Sequence, residues 1–338
     1  IERAGPFAAC VRFEGFYRTT DGADLARHIT RLEAFAGQPF ARVTHTLILT
    51  NDTNELWFKE IGWELAASGG ERPQAVFGVS RDDFQEMQTA AIPAGATVSM
   101  LQDQHYRFGA GKNHFVVLQV AAGQPTNLAE GEECGDYAAL VGPSGGLMMA
   151  CKEAARQHPK EFAVAAGSIN LCLFSGRSGE ELDFRMSTLV KKWNLAEWVE
   201  KSVSAYQRRQ AGEDALEKIA KYESNAAGWA KTHDLLIAPV ATAQSAAELA
   251  RLNRDQVFAQ ADPAWLCASG TFDRIHPRDP ERFPREERLI DGTLDVWHQR
   301  MYGGWGLFGF VDYNAGPVLD YVDGVPRLYR FVRYTYSL

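Results

Sequence analysis

The chain has 338 residues, a formal charge of −8 and a sequence pI near 5.6. Its composition, 46% hydrophobic and 23% charged, is that of an ordinary globular protein with room for two domains. The acidic balance argues against a nucleic-acid partner, which calls for a basic face, and no apolar run is long enough to cross a membrane as a helix.

The chain opens at Ile1-Glu2-Arg3-Ala4 and runs straight into a strand pattern, and it closes on Tyr329 to Leu338 in what reads as mid-element. A segment of a longer protein is the expectation from both ends. Residues 7–20 (FAACVRFEGFYRTT) read as a strand, with alternation around Val11, Phe13 and Phe16, and Asp21-Gly22 as a turn. Arg27 to Ala36 alternates again, with His28, Thr30 and Leu32 on one face. Phe40 to Thr50 (FARVTHTLILT) is β-branched and strand-like, and Leu56 to Ala66 is read as a strand through its Trp residues and Gly62. Further alternating runs fall at Ala75–Val79, Thr97–Gln102 and Asn113–Val120.

Gly142 to Pro159 changes character. Gly145-Gly146 leads into LMMACKEAARQHP, a helix-capable run stopped by Pro159. Strands are expected again at Ser168–Phe174 and Leu182–Met186. Between them and the next strand, Lys191 to Tyr222 carries Trp193, Leu195, Trp198, Val203 and Tyr206 at helical spacing, a helical insert at about 187–225. Gly228 to Val240 (GWAKTHDLLIAPV) starts polar and ends as a β-prone apolar run. Ala246 to Gln260 is helical, and Asp273–Pro284 is a loop rich in Pro, Arg and Asp. The fold class that follows is mainly β with α. An antiparallel β-sandwich spans 1–245, with strand signals giving way to helices and long loops near 245.

The five cysteines, Cys10, Cys134, Cys151, Cys172 and Cys267, are scattered and form no CxxC, and the eight histidines show no metal-binding spacing. No cofactor or metal ligand set is read from them; a divalent cation such as calcium stays open. In GWAKTHDLL, strand alternation puts Lys231 and His233 on one face and Thr232 and Asp234 on the other. The bland reading of that stretch is a strand end with a solvated polar face.

Several phrases, in order, resemble the large exo-acting polysaccharide lyases typified by exo-rhamnogalacturonan lyase (polysaccharide lyase family 26). They are GPFAACVRFEG at Gly5–Gly15, AGQPFARVTHTLILTND at Ala36–Asp52, GGLMMACKEAARQHPKEF at Gly145–Phe162 and LCLFSGRSGEELDFR at Leu171–Arg185. GWAKTHDLLI at Gly228–Ile237 and ADPAWLCASGTFDRIHPRDPERFP at Ala261–Pro284 complete the set. The resemblance implies a central β-sandwich followed by the beginning of an (α/α) toroid over 246–338. The helical insert and the short toroid portion depart from that pattern. It also implies an acidic, uronic-acid-containing polysaccharide as partner, β-elimination as the reaction, and an extracellular or periplasmic setting.

A lyase of this kind must neutralise the carboxylate, remove the proton at C5 and protonate the oxygen at C4. His233 is the candidate base, with Lys231 beside it lowering its pKa by like-charge repulsion. His45, in mid-strand, reads instead as a satisfied core histidine. His276 and Arg278 lie in a basic loop whose acidic neighbours Asp273, Asp279 and Glu281 offer pairing partners. His298, Arg300 and Tyr302 lie close together before the Gly- and Trp-rich stretch that holds Trp305 and Tyr313. With the resemblance counted, His233, Lys231, Tyr302 and Arg300 are the catalytic candidates. Trp229, His276, Arg278, His298, Trp305 and Tyr313 are the candidates for substrate contact. His233 is expected to face a cleft near residues 297–313. The alternative is a non-catalytic carbohydrate-binding or structural sandwich; a hydrolase would need two facing carboxylates, and no spacing singles out such a pair.

Overall fold

The computed structural model describes residues 1–67, 69–105, 112–185, 187–188, 225–255, 259–273, 275–295, 315–322 and 325–333. The chain divides into two units, Ile1–Asp255 and Gln256–Leu338.

The first unit is built from antiparallel strands in two sheets. In chain order, β1 (Arg3–Ala4), β2 (Ala8–Arg18), β3 (Asp24–Phe35) and β4 (Ala41–Leu49) form a meander. β5 (Ile61–Ala66), β6 (Gln74–Gly78), β7 (Met87–Ala91), β8 (Thr97–Gln104), β9 (His114–Ala121) and β10 (Gln124–Gly131) follow. Then come β11 (Tyr137–Gly142), β12 (Gly145–Cys151), β13 (Glu161–Ala165), β14 (Ser168–Phe174) and β15 (Ala230–Val240), with helix α1 (Ala243–Arg254) behind them. One sheet has nine strands in the order β1-β2-β3-β4-β15-β12-β11-β6-β7, and the other has six in the order β10-β9-β8-β13-β14-β5.

The core between the sheets follows from the two-residue period of a strand. Val43, Ala75, Phe77, Ala138, Leu140, Met149, Cys151 and Leu235 come from the first sheet. They meet Val98, Met100, Phe115, Val117, Phe162, Val164, Ile169, Leu171 and Leu173 from the second. Residues of the opposite parity on the first sheet, Tyr137, Ala139, Met148, Ala150, Leu236 and Ala238, are also buried. They pack with Ala246, Ala247 and Ala250 of α1. β11, β12 and the Leu235–Val240 end of β15 are therefore covered on both faces, and these stretches are continuous apolar runs.

That double burial corrects the reading of Gly142–Pro159. The Leu-Met-Met-Ala run is strand β12, and only Ala154–Gln157 is helical, as a 3-10 turn. Helix propensity loses because both faces of the run fill apolar layers. Gly145-Gly146 marks a hairpin: a Cβ on Gly146 would lie 1.8 Å from the Leu140 carbonyl oxygen, so only glycine fits. Leu182–Arg185 is not a strand either; Leu182 makes a single bridge to Phe58, and Met186, the end of the expected strand, lies outside the described residues. β5 starts at Ile61 rather than Leu56. The helical insert of Lys191–Tyr222 lies outside the described residues.

The first unit runs on through α1 to Asp255, beyond the expected boundary near 245, because α1 closes the outer apolar layer. Thr242 caps the helix in a reciprocal capping box with Ser245. At the far end Arg254 reaches buried Asp136 at 2.7 Å and lies over the Phe84 ring. Asp136 also accepts from the backbone N–H groups of Glu153 and Ala154. Its pKa is nonetheless raised, because burial outweighs the Arg254 charge.

The second unit contains α2 (Pro263–Ser269), α3 (Pro284–Asp295) and a hairpin of β16 (Ala315–Val322) and β17 (Val325–Arg333). Its described residues hold no ring of paired helices.

Replacing Arg254 with Met leaves Asp136 buried without its cation and is expected to destabilise the fold by about 3–5 kcal/mol in urea unfolding. Replacing Arg251, whose ion pair with Asp255 is solvent-exposed, is expected to cost less than about 1 kcal/mol.

Candidate functional site

Opposed residues of an antiparallel ladder share a sheet face, so the registers assemble the site directly. Thr30 opposes His45, and His45 opposes His233. One step along, Gly15 opposes His28, His28 opposes Leu47, and Leu47 opposes Lys231. These two rows lie on the inner face of the nine-stranded sheet, the side of Val43 and Leu235. Trp63 of β5, in the other sheet, meets the His45 ring edge-on at 5.2 Å.

Tyr17 reaches into the same group from β2. Its hydroxyl lies 2.9 Å from His45 Nε2, and Thr30 Oγ1 lies 2.8 Å from His45 Nδ1. Either the phenol donates to Nε2 and Nδ1–H donates to the threonine, or both bonds run the other way. The His28 ring stacks on His45 at 5.9 Å and meets the Tyr17 ring edge-on at 5.4 Å. It fits because Gly15 has no side chain: a Cβ there would sit 2.9 Å from His28 Nε2. Tyr17 and His28 are half-buried, whereas Thr30, His45 and His233 are buried.

Burial dominates the electrostatics. It pushes the Tyr17 phenol up to about 12. It pulls His45 down to about 4, helped by His28. His233 falls far below the usual histidine range, first through burial and then through the charges of Lys160, Lys231 and His45. Near neutral pH the phenol, His45 and His233 are all uncharged. Lys160, on β13's approach to the core, is 3% exposed and falls to about 7, again by burial. Lys231 is lowered for the same reason.

Lys231 and His233 share a face, as strand alternation requires, while Thr232 and Asp234 point the other way toward Thr46 and Thr44. His233 is 5% exposed, and its Nδ1 has no hydrogen-bond partner among the described residues. His45 is satisfied, as expected of a core histidine, but by two side chains rather than by backbone. Trp229 packs at the sandwich end, its ring 5.1 Å from Phe184. In the second unit His276 is exposed. Arg278 pairs with Asp291 and Glu287 of α3, not with its loop neighbours Asp273, Asp279 and Glu281. Tyr302, Arg300, His298, Trp305 and Tyr313 lie outside the described residues.

Sequence reasoning did not single out Tyr17, His28, Thr30 or Lys160 as site residues. The signal for His28 and Thr30 was present in their shared strand face. The register that sets Thr30 against His45 depends on how the two hairpins close. Lys160 follows Pro159 and carries no local motif. Among the described residues no three His, Cys, Asp or Glu side chains gather as a metal site.

Lys160 binds its proton less tightly in the folded chain, at about 7, than the ordinary lysine value of 10.5. Between those values the unfolded chain holds more protons, so stability rises with pH across that window and the full penalty applies below it. Lys231 acts with the same sign. Urea midpoints measured from about pH 7 to about pH 8.5, below the ordinary range of the buried cysteine thiols whose raised pKa acts with the opposite sign, are expected to rise, and the rise should be shallower in Lys160→Met.

No family model matches the chain, and no curated protein matches it. Among solved structures, a protein from Klebsiella pneumoniae provisionally named an aldose 1-epimerase is similar at a TM-score of 0.32 and 12% identity. The match covers 73% of this chain and 55% of that one. The chain thus spans little more than half of that structure's length, and a likeness at this level carries no argument about function.

Proposed function

We propose that the chain is a carbohydrate-active enzyme, a polysaccharide lyase that cleaves uronic-acid-containing polymers of the rhamnogalacturonan kind by β-elimination. The observation that carries this reading is the Tyr17–His45–Thr30 chain beside half-buried His28, on one sheet face with Lys231. A phenol kept protonated by burial suits the acid role, and His45, anchored by Thr30, holds it in place.

In this reading Lys231 offsets the substrate carboxylate, which acidifies the C5 proton. His28 takes that proton, the C5–H electrons form the C4=C5 double bond, and the C4–O bond breaks. Tyr17 gives its proton to the departing O4. Proton return from His28 to Tyr17, through solvent, closes the cycle. His233, the base candidate of the sequence, is too buried to take that part. Outside the cytoplasm is the setting such a polymer substrate implies.

The test is incubation of the intact protein with rhamnogalacturonan and other uronic-acid polymers, following the absorbance of the unsaturated product. Tyr17→Phe is expected to lower the rate by about 10²–10⁴-fold, while the lost hydroxyl costs only about 1 kcal/mol of stability. Binding of the polymer without any unsaturated product would move the chain to the non-catalytic carbohydrate-binding class.

A further inference from the structure

The two sheets are unequal in width, and the inner face of the wider one runs past its cover. The six-stranded sheet ends at β5, whose Trp63 ring meets His45 of β4. β3 and β2 lie one and two strands farther out. Their inner-face residues follow from the ladder: Val11 opposes Leu32, Phe13 opposes Thr30, Gly15 opposes His28 and Tyr17 opposes Ala26. Phe13 is 52% exposed and Leu32 36%, although their parity turns them to the side that is core elsewhere in the sheet.

This ledge is continuous with the candidate site. The His28 ring lies across Gly15 and meets Tyr17 edge-on at 5.4 Å. Phe13 is the next inner-face residue of β2 on the far side of Gly15 from Tyr17, diagonal to both His28 and Leu32. At roughly 3.3 Å per residue, Phe13 and Tyr17 stand about 13 Å apart along the strand, a span that takes one sugar ring at His28 and its neighbour at Phe13. Charge is sorted between the two faces. Arg12, Glu14, Arg27, Arg31 and Glu33 all project to the outer face, and the inner-face positions of β2 and β3 carry no Asp, Glu, Lys or Arg. A ring with its own carboxylate gains nothing from such a surface. The C–H face of an uncharged sugar sheds water against an exposed aromatic ring and its aliphatic neighbours.

We infer that Phe13, with Leu32 and Val11, forms a subsite for an uncharged pyranose ring, the neighbour of the uronic acid handled at Tyr17 and His28. The inference rests on the reading above that this face cleaves at a uronic acid. It narrows the substrate class to polymers in which acidic and neutral sugars adjoin, rather than those of uronic acids alone. Tyr17 stands at the departing oxygen, so the ring at Phe13 is the sugar at the other end of the uronate, still bonded to it after the C4–O bond breaks. Phe13 is a specificity residue that touches substrate and takes no part in proton transfer.

The experiment is titration calorimetry with a hexasaccharide of alternating rhamnose and galacturonate, and with hexagalacturonate. The protein carries Tyr17→Phe throughout, so that cleavage does not consume the ligand, and Phe13 is varied on that background. The alternating ligand should bind more tightly than hexagalacturonate. Phe13→Ala should weaken the alternating ligand by about three- to ten-fold and leave hexagalacturonate unchanged, and Phe13→Trp should keep the affinity. Phe13→Leu, apolar but without a ring, takes the place of Phe13→Ala if the alanine variant fails to fold in urea titration. Unchanged binding in the variant without a ring, equal losses for both ligands, or no binding of the alternating ligand would overturn the proposal. So would a dimer that Phe13→Ala turns into monomer in sedimentation, which would give this face to a second copy of the chain. The unsaturated product is assayed separately, on protein with Tyr17 intact. Phe13-dependent binding without that product defeats only the reaction, and product with Phe13-independent binding defeats only the subsite.

Discussion

Everything in the first unit depends on where β15 inserts. Residues 230–240 are supplied from far along the chain and pair with β4 on one side and β12 on the other. They join the β1–β4 meander to the β12-β11-β6-β7 block in one sheet. Such pairing between distant segments closes long loops, and it is worth that entropy only because both faces of the strand's apolar end are buried. Leu235 faces the other sheet and Leu236 faces α1.

The same insertion creates the site. The ladder with β12 ends at Leu235, with one further bond from the Lys152 N–H to the Asp234 carbonyl, so among the described residues the first residues of β15 have β4 as their ladder neighbour. Lys231 and His233 then fall on the inner face next to His45 and Leu47, where an apolar sandwich would place aliphatic side chains. Polar groups in that position are tolerable where they bond to one another, as Tyr17, His45 and Thr30 do. Where they do not, as at His233 and the two lysines, burial holds them neutral or depressed. A sheet that only needed stability would gain by replacing them with apolar residues.

The opposite face of the β1–β3 region follows different rules. Arg3 with Glu33, Arg31 with Glu2, and Arg27 with Glu14 form exposed ion pairs that add little to stability. Their service is negative: a charged ribbon bordered by the two-residue strand β1 resists edge-to-edge pairing with another chain. The result is one outward face built for water and one inward face whose polar groups are shielded from it.

Alternation by itself determined the strands at 7–20, 27–36, 40–50 and 228–240, and with them the antiparallel β class and the shared face of Lys231 and His233. Those follow because side-chain parity along a strand is local and needs no partner. The sequence also showed His28 and Thr30 on a common face, but not that His45 and His233 would meet Thr30 across two strand pairings. Register is set by hairpin closure and by contacts between residues far apart in the chain. The run at Gly145–Cys151 was legible only as apolar; tertiary burial on both faces made it a strand. Lys160 had no motif at all: its depressed pKa comes from the layers that surround it, and only the folded chain supplies those.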